Sequence, residues 1–147
     1  MSHEVADEVL RLTARLNRWV SARTDVGVPT AQARLLGHID DLQPVRITTL
    51  ALADHSSQPG VTAQVNRLES AGLVRRIPDE SDARASLVEL TEHGRAALTK
   101  ARGVRAAGLA PLLDQLDAAD LDRLRAGVAV LSGLVDRLDP HPDQTTP

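Results

Sequence analysis

Residues 58–94 read "QPGVTAQVNRLESAGLVRRIPDESDARASLVELTEHG", and the change of period inside this run decides the fold. Val61, Val65 and Leu68 recur at helical spacing, and Gly72 supplies the residue that ends the helix. Beyond Gly72 the period drops to two. "LVRRI" (73–77) and "ASLVEL" (85–90) read as strands, the second turning Val88 and Leu90 inward, with a Pro-Asp punctuator between them. The polar excursion from Pro78 to Ala83 holds Asp79, Glu80 and Asp82 ahead of Arg84. It exceeds the roughly two to five residues of a tight hairpin loop, so its tip is expected to project into solvent and touch a partner.

The residues just upstream say what kind of hairpin this is. "TTLALADH" (48–55) predicts a helix of two turns, "SSQPG" (56–60) a turn, and "VTAQVNRLESAG" (61–72) a second, amphipathic helix. Two short helices joined by a tight turn make a helix-turn-helix. Followed directly by a hairpin, they make a winged helix. Arg84 at the wing tip then suits a narrow minor groove, whose negative potential attracts a guanidinium. Asp82 is expected to orient it through a charge-assisted pair.

Outward from this core the chain is helical. In the first helix Ser2 is a candidate cap, and Val5, Val9, Leu12, Leu16, Trp19 and Val20 form one apolar stripe. A Gly/Pro loop, "TDVGVPT", separates it from a helix capped by Thr30 that buries Ala33, Leu36 and Ile39 or their neighbours. After Thr91, a cap for the next helix, Gly103, Gly108 and Pro111 predict interruptions. Asp117 caps the last helix, which carries Leu121, Leu124, Val128, Leu131, Val135 and Leu138 on one side. A small winged core cannot cover both this stripe and that of the first helix. A second copy of the chain would cover them; an intramolecular three-helix arrangement is the alternative.

The predicted fold is therefore mainly α: a winged helix-turn-helix core with a two-stranded β-hairpin wing, flanked by N- and C-terminal dimerisation helices. The 147 residues suit one domain over 1–139, with the core at 45–95, dimerisation helices at 1–24 and 96–139, and a disordered tail at 140–147.

Composition removes most other chemistries. Without cysteine there is no disulfide framework and no thiolate metal site. No apolar run reaches the roughly 18 residues of a membrane span, and the acidic start lacks a signal-peptide core, so a cytoplasmic location is expected. The consecutive Asp54, His55 and Ser56 contain a triad's residue types, but neighbours on a helix point about 100° apart. The five histidines show no metal-ligand spacing, and no metal or cofactor is expected. Gly-rich phosphate loops are missing too, so no enzymatic activity is expected. Trp19 is the only aromatic residue, which leaves no stacking platform for single strands or RNA. The net charge of −3 argues mildly against a polyanionic partner, yet residues 42–105 carry nine Lys and Arg against seven Asp and Glu. Phosphate binding needs a local basic face, and this segment can supply one.

The run from Gln58 to Gly94 resembles the core of the multiple antibiotic resistance regulator (MarR) family. The similarity lies in the recognition helix, the "RLESAGLVRR" passage, the Asp-x-Arg wing element at Asp82 and Arg84, and the "LT-x-x-G" close at Leu90, Thr91 and Gly94. The resemblance implies homodimeric transcriptional regulators that bind palindromic duplex DNA and are often released by small phenolic or lipophilic ligands. Family members often carry a basic residue soon after the recognition-helix Thr; here Ala63 stands there. Base reading is thus assigned to Gln58, Thr62 and Gln64, with Asn66 and Arg67 behind them, since amides pair with adenine and Arg with guanine or phosphate. Arg75, Arg76, Asp82 and Arg84 are assigned to wing and backbone contacts. The dimer contact falls to Val5, Val9, Leu12 and Leu16 with Leu121, Leu124, Val128, Leu131 and Val135. The expected function is a homodimeric repressor acting on a pseudo-palindromic operator and released by a small apolar or phenolic effector. That effector would occupy a pocket between the dimerisation helices and the core, lined by Leu, Val and Ala near Trp19; a filled core is the alternative. A winged-helix protein-interaction module without DNA affinity is the alternative function.

Overall fold

A computed structural model describes residues 1–138; the expected disordered tail at 140–147 lies outside them. Among the described residues are six helices and one small antiparallel sheet. Helix α1 spans Ser2–Ser21, with Ser2 inside it and no side-chain cap; its sequence neighbour Met1 takes the cap position. Helix α2 spans Thr30–Leu42 behind Pro29, so Thr30 is likewise the first helical residue rather than the cap. Leu35, Leu36, Ile39 and Leu42 are its buried face.

The helix-turn-helix comprises α3, Ile47–Ala53, and α4, Gln58–Ser70. The turn between them is shorter than "SSQPG" suggests, because α4 begins three residues ahead of Val61. Ser57 caps it by accepting from the Gly60 N–H, and Pro59 occupies the first turn, where a missing N–H costs nothing. At its other end Gly72, at φ +73°, donates to the Glu69 carbonyl while Leu73 donates to that of Leu68. This pairing closes the helix and turns the chain into the sheet.

Strands β2, Val74–Pro78, and β3, Ser86–Leu90, pair antiparallel from Val74 opposite Leu90 to Pro78 opposite Ser86. A third strand, β1 at Val45–Arg46, pairs with β3 and gives the order β1-β3-β2. The wing is thus rooted in a three-stranded sheet, not a free hairpin. Two residues are too few to display a period, which is why this strand leaves no trace in the sequence pattern.

Thr91 caps α5, Glu92–Leu113, by accepting from the Gly94 N–H at 3.0 Å while donating to the Gly72 carbonyl at 2.6 Å. Helix α5 runs unbroken through Gly103, Gly108 and Pro111. Pro111 stands so near the C-terminal end that only a few residues follow the lost backbone bond. Gly108 has a packing reason: a Cβ there would come 2.5 Å from the Thr24 methyl. Asp117 caps α6, Ala118–Val135, accepting from the Asp120 N–H at 2.7 Å.

One core holds these elements together, with Leu36, Ile39, Leu50, Val65, Leu68 and Val88 fully enclosed. It lies among α2, α3, α4, the sheet and the start of α5. Helix α1 contributes only Val20 to the buried set, and α6 contributes nothing. Leu124, Leu131, Val128 and Val135 stand 38–61 % exposed on α6, and Val5, Leu12 and Leu16 43–58 % exposed on α1. Within the described chain, therefore, no three-helix arrangement covers the two stripes.

Candidate nucleic-acid interface

The front of α4 is an open, shallow surface formed by Gln58, Pro59, Thr62, Ala63 and Asn66. The spacing of four between Gln58, Thr62 and Asn66 puts them on one side of the helix, about a quarter-turn away from the buried Val61, Val65 and Leu68. Thr62 donates its hydroxyl proton to the Gln58 carbonyl at 2.9 Å, which leaves its oxygen facing outward as an acceptor. Gln64 does not join them. It is half-buried, its Oε1 is enclosed without a partner, and it faces a cleft shared with Ala31, Arg34 and Asp54. Arg67 is exposed in the last turn of α4.

The two arginines of β2 are both occupied. Arg75 donates to Glu89, its cross-strand neighbour in the register, at 2.6 Å. Arg76 reaches back to α4, where it pairs with Glu69 and donates to Asn66 Oδ1 at 2.8 Å. Arg76 therefore fixes the rotamer of an outward-facing amide on α4. A side chain so engaged carries less free charge toward a phosphate than Arg67 does.

The wing has an internal frame that its sequence conceals. Asp79 is only 7 % exposed. It accepts from Arg46 Nε at 2.6 Å, from the Ser81 N–H at 3.0 Å and from the Ser81 hydroxyl at 2.7 Å, and Arg46 donates in turn to the Ser81 hydroxyl at 2.9 Å. Ser81 first, and then Arg46, hold the Asp79 carboxyl below the usual carboxylate range. This cluster ties β1 to the base of the loop, so the wing leaves the sheet at a fixed angle. Further out, Asp82 accepts from the Arg84 backbone N–H at 3.0 Å, and Ala85 donates to the Asp82 carbonyl at 3.0 Å. Asp82 thus shapes the loop backbone and does not clasp the Arg84 guanidinium, which stands exposed at the tip.

A second frame holds the turn between α3 and α4. Arg34 on α2 donates to Asp54 through Nε at 2.6 Å and Nη2 at 3.3 Å. The Ser56 hydroxyl also donates to Asp54, and His38 lies 3.5 Å away. Chiefly through Arg34, the Asp54 carboxyl is held below its ordinary range. Next to it, His55 adopts φ +51°, an unusual value for a residue with a side chain. Asp54 is the hub of this turn, and no nucleophile-base-acid line runs through Asp54, His55 and Ser56.

Behind the interface, a cavity of about 480 Å³ opens between α1, α2 and α5. It lies where a pocket is expected, but its walls differ. Leu98, Ala101 and Val26 give it an apolar side, while Asn17, Ser21, Arg34 and Arg105 give it a polar, cationic one. Trp19 does not line it; its ring instead packs under the Arg23 guanidinium. Arg105 donates to Ser21 Oγ at 2.7 Å and to Asn17 Oδ1 at 2.9 Å, both neutral acceptors.

A model of the MarR family matches residues 26–85, the stretch from the loop before α2 to the wing. That stretch is similar to the MarR family's core. Its fold is that of solved transcriptional regulators. It superimposes on RV1404 from Mycobacterium tuberculosis with a TM-score of 0.72 at 24 % identity, covering 95 % of this chain and 97 % of that one. Regulator Tm0710 from Thermotoga maritima gives 0.70 at 24 %, covering 91 % and 96 %. A mutant MarR from E. coli gives 0.65 at 21 %, covering 89 % and 95 %. No curated protein matches the sequence.

On this winged-helix fold, the structure brings together Gln58, Thr62 and Asn66 on α4 and sets Gln64 apart from them. Asp79, Arg46 and Ser81 are the residues that sequence reading missed. The signal available was Asp79 directly after Pro78 with Ser81 two residues on, a spacing that suits a side chain folding back onto its own loop. Among the described residues no group of three His, Asp or Glu could hold a metal ion, and no helix is long and apolar enough to cross a membrane.

Proposed function

We propose that the chain acts in the cytoplasm as a homodimeric transcriptional regulator that binds duplex DNA and represses until a small ligand releases it. The observation that carries this reading is the face of α4: a surface whose polar groups, on Gln58, Thr62 and Asn66, are unshared with the core, beside a wing held by Asp79 and ending in an exposed Arg84. Gln58, Thr62 and Asn66 offer the donors and acceptors that base edges require, and Arg67 and Arg84 supply positive charge for the backbone and the minor groove. Gln64 keeps a role in this reading only if it turns out of its cleft on binding. The small Ala63 suits close approach of the helix to a thymine methyl. Among relatives of the same fold at 18 % identity, Staphylococcus aureus MepR has been seen bound to an oligodeoxyribonucleotide.

The uncovered stripes on α1 and α6 support a two-fold dimer. Apolar side chains at this density on two helices cost free energy in water and gain roughly 1.5–3 kcal/mol each when fully buried. The cavity supports an effector, and its walls refine the chemistry. Arg105 is half-buried, and no carboxylate pairs with it among the described residues. An amphipathic acid, with its carboxylate at Arg105 and its apolar body against Leu98 and Ala101, fits better than a purely apolar ligand. In the same fold MepR has been seen with ethidium bromide.

Selection of bound duplexes from a random pool tests the proposal. A dimer should enrich a pseudo-palindrome with half-sites about one helical turn, roughly 10 bp, apart, and five inserted base pairs should abolish tight binding. Enrichment of no sequence, or of a single half-site by a monomer in light scattering, would overturn it.

A further inference from the structure

We propose that Arg34 couples the ligand cavity to the recognition helix, by leaving Asp54 for an anion bound in the cavity and so releasing the turn that sets the start of α4. The inference rests on the effector reading above and adds the residue through which the effector acts. Arg34 is the side chain that lines both hollows of this region. One is the cavity of about 480 Å³ beside Ser21, Leu98 and Arg105; the other is a cleft of about 250 Å³ beside Asp54, Ser57, Gly60 and Gln64.

On the cleft side Arg34 makes its two hydrogen bonds to Asp54, the residue that follows α3. Only His55 and Ser56 separate Asp54 from Ser57, the cap of α4. The other bonds of this turn tie it to α3 and to itself: Asp54, His55 and Ser56 donate their backbone N–H groups to the Leu50, Leu52 and Ala51 carbonyls, the Ser56 hydroxyl donates to Asp54, and His55 holds a left-handed φ. Without Arg34, the Asp54 carboxylate keeps Ser56, and the tie from α2 to the turn is reduced to His38 at 3.5 Å. The Arg34 side chain is half-exposed, so the pair with Asp54 is not locked in a dry interior and can exchange partners. An anion seated at Arg105 offers the second acceptor. Linkage then requires that whatever the anion costs DNA binding, DNA costs anion binding by the same factor.

Benzoate serves as the probe acid, with binding read by calorimetry, duplex affinity by titration on the selected site, and backbone hydrogen exchange at residues 55–61. The proteins are the full chain and its Arg34→Gln, Arg34→Lys and Asp54→Asn variants, each confirmed as folded by a cooperative melting transition well above the assay temperature. In the parent, benzoate should bind, raise exchange at 55–61 and weaken duplex affinity about fivefold or more. In Arg34→Gln and Asp54→Asn, exchange at 55–61 should already be raised, and benzoate should change neither exchange nor duplex affinity further. Arg34→Lys, which keeps the charge but not the fork, should fall between. Benzoate releasing DNA equally from the parent and from Asp54→Asn would overturn the inference, as would a parent whose exchange at 55–61 is blind to bound benzoate. Failure to bind any duplex, with the exchange pattern as expected, would instead strike the regulator reading alone.

Discussion

Replacing Gly94 with alanine should destabilise the fold, although alanine is the better helix former. Gly94 sits in the first turn of α5, and a Cβ there would lie 1.9 Å from the Leu73 carbonyl oxygen, 2.9 Å from its carbon and 3.3 Å from its Cα. All three atoms are backbone, so no rotamer change relieves the contact. The same carbonyl accepts from the Thr91 N–H at 3.1 Å, and the Thr91 hydroxyl bridges Gly72 to the Gly94 N–H. Moving α5 away by the ångström or more required would break this joint. Overpacking costs about 1–3 kcal/mol, loss of the Thr91 cap about 1 kcal/mol more, and helix propensity returns about 1 kcal/mol. The net is a loss of roughly 1–3 kcal/mol, or a fall in Tm of about 3–10 °C for a chain of this size. Gly103→Ala, at a helical glycine with open space around it, provides the control and should raise Tm slightly. Thermal unfolding followed by circular dichroism measures both. A Gly94→Ala protein that melts at or above the parent would refute the close-approach argument for the Thr-x-x-Gly close.

Three other outcomes follow from the interface. Arg84→Ala should weaken duplex binding by about 1–3 kcal/mol with Tm unchanged, and equal affinity in paired titrations would remove the wing from the contact. Arg67→Ala should flatten the salt dependence of binding by about one unit, whereas Arg76→Ala, whose charge is balanced by Glu69 and whose hydrogen bond orients Asn66, should flatten it less and relax sequence preference more; the reverse order would contradict the geometry. Asp79 and Asp54 have depressed carboxyl pKa values in the fold, so the stability they lend is present above the unfolded pKa of about 3.9 and is lost as pH falls through the folded values. Acid unfolding of Asp79→Asn should therefore show a shallower loss of stability below about pH 4 than the parent, and identical acid limbs would show that the wing frame contributes nothing.

Most of the architecture was legible because long periodic segments dominate it. The stripe of α1, the Val61-Val65-Leu68 face of α4 and the alternation in β3 each decide an element by themselves. What escaped the sequence depends on contacts between distant residues or on ends of elements. Strand β1 exists because Val45 and Arg46 meet Val88 and Leu87. Helix α4 starts early because Pro59 after Ser57 is a helix opener in that position, though "QPG" alone reads as a turn. Pro111 left α5 intact because it falls near the helix end. At the interface, period alone separates Gln58, Thr62 and Asn66 from the buried face, but it does not reveal that Gln64 turns into a cleft beside α2. Nor can a local pattern show that Asp79 is buried, since its partner Arg46 lies 33 residues away.

The salt dependence of duplex affinity tests the central claim most directly. A protein that neutralises phosphates displaces condensed counterions, and each contact contributes about −0.9 to the slope of log affinity against log salt. With Arg67 and Arg84 engaged in both protomers of a dimer, the slope on the selected duplex should reach about −3 to −4. A slope near zero, or no measurable duplex binding at low salt, would contradict the account and leave the winged helix as a surface for another protein.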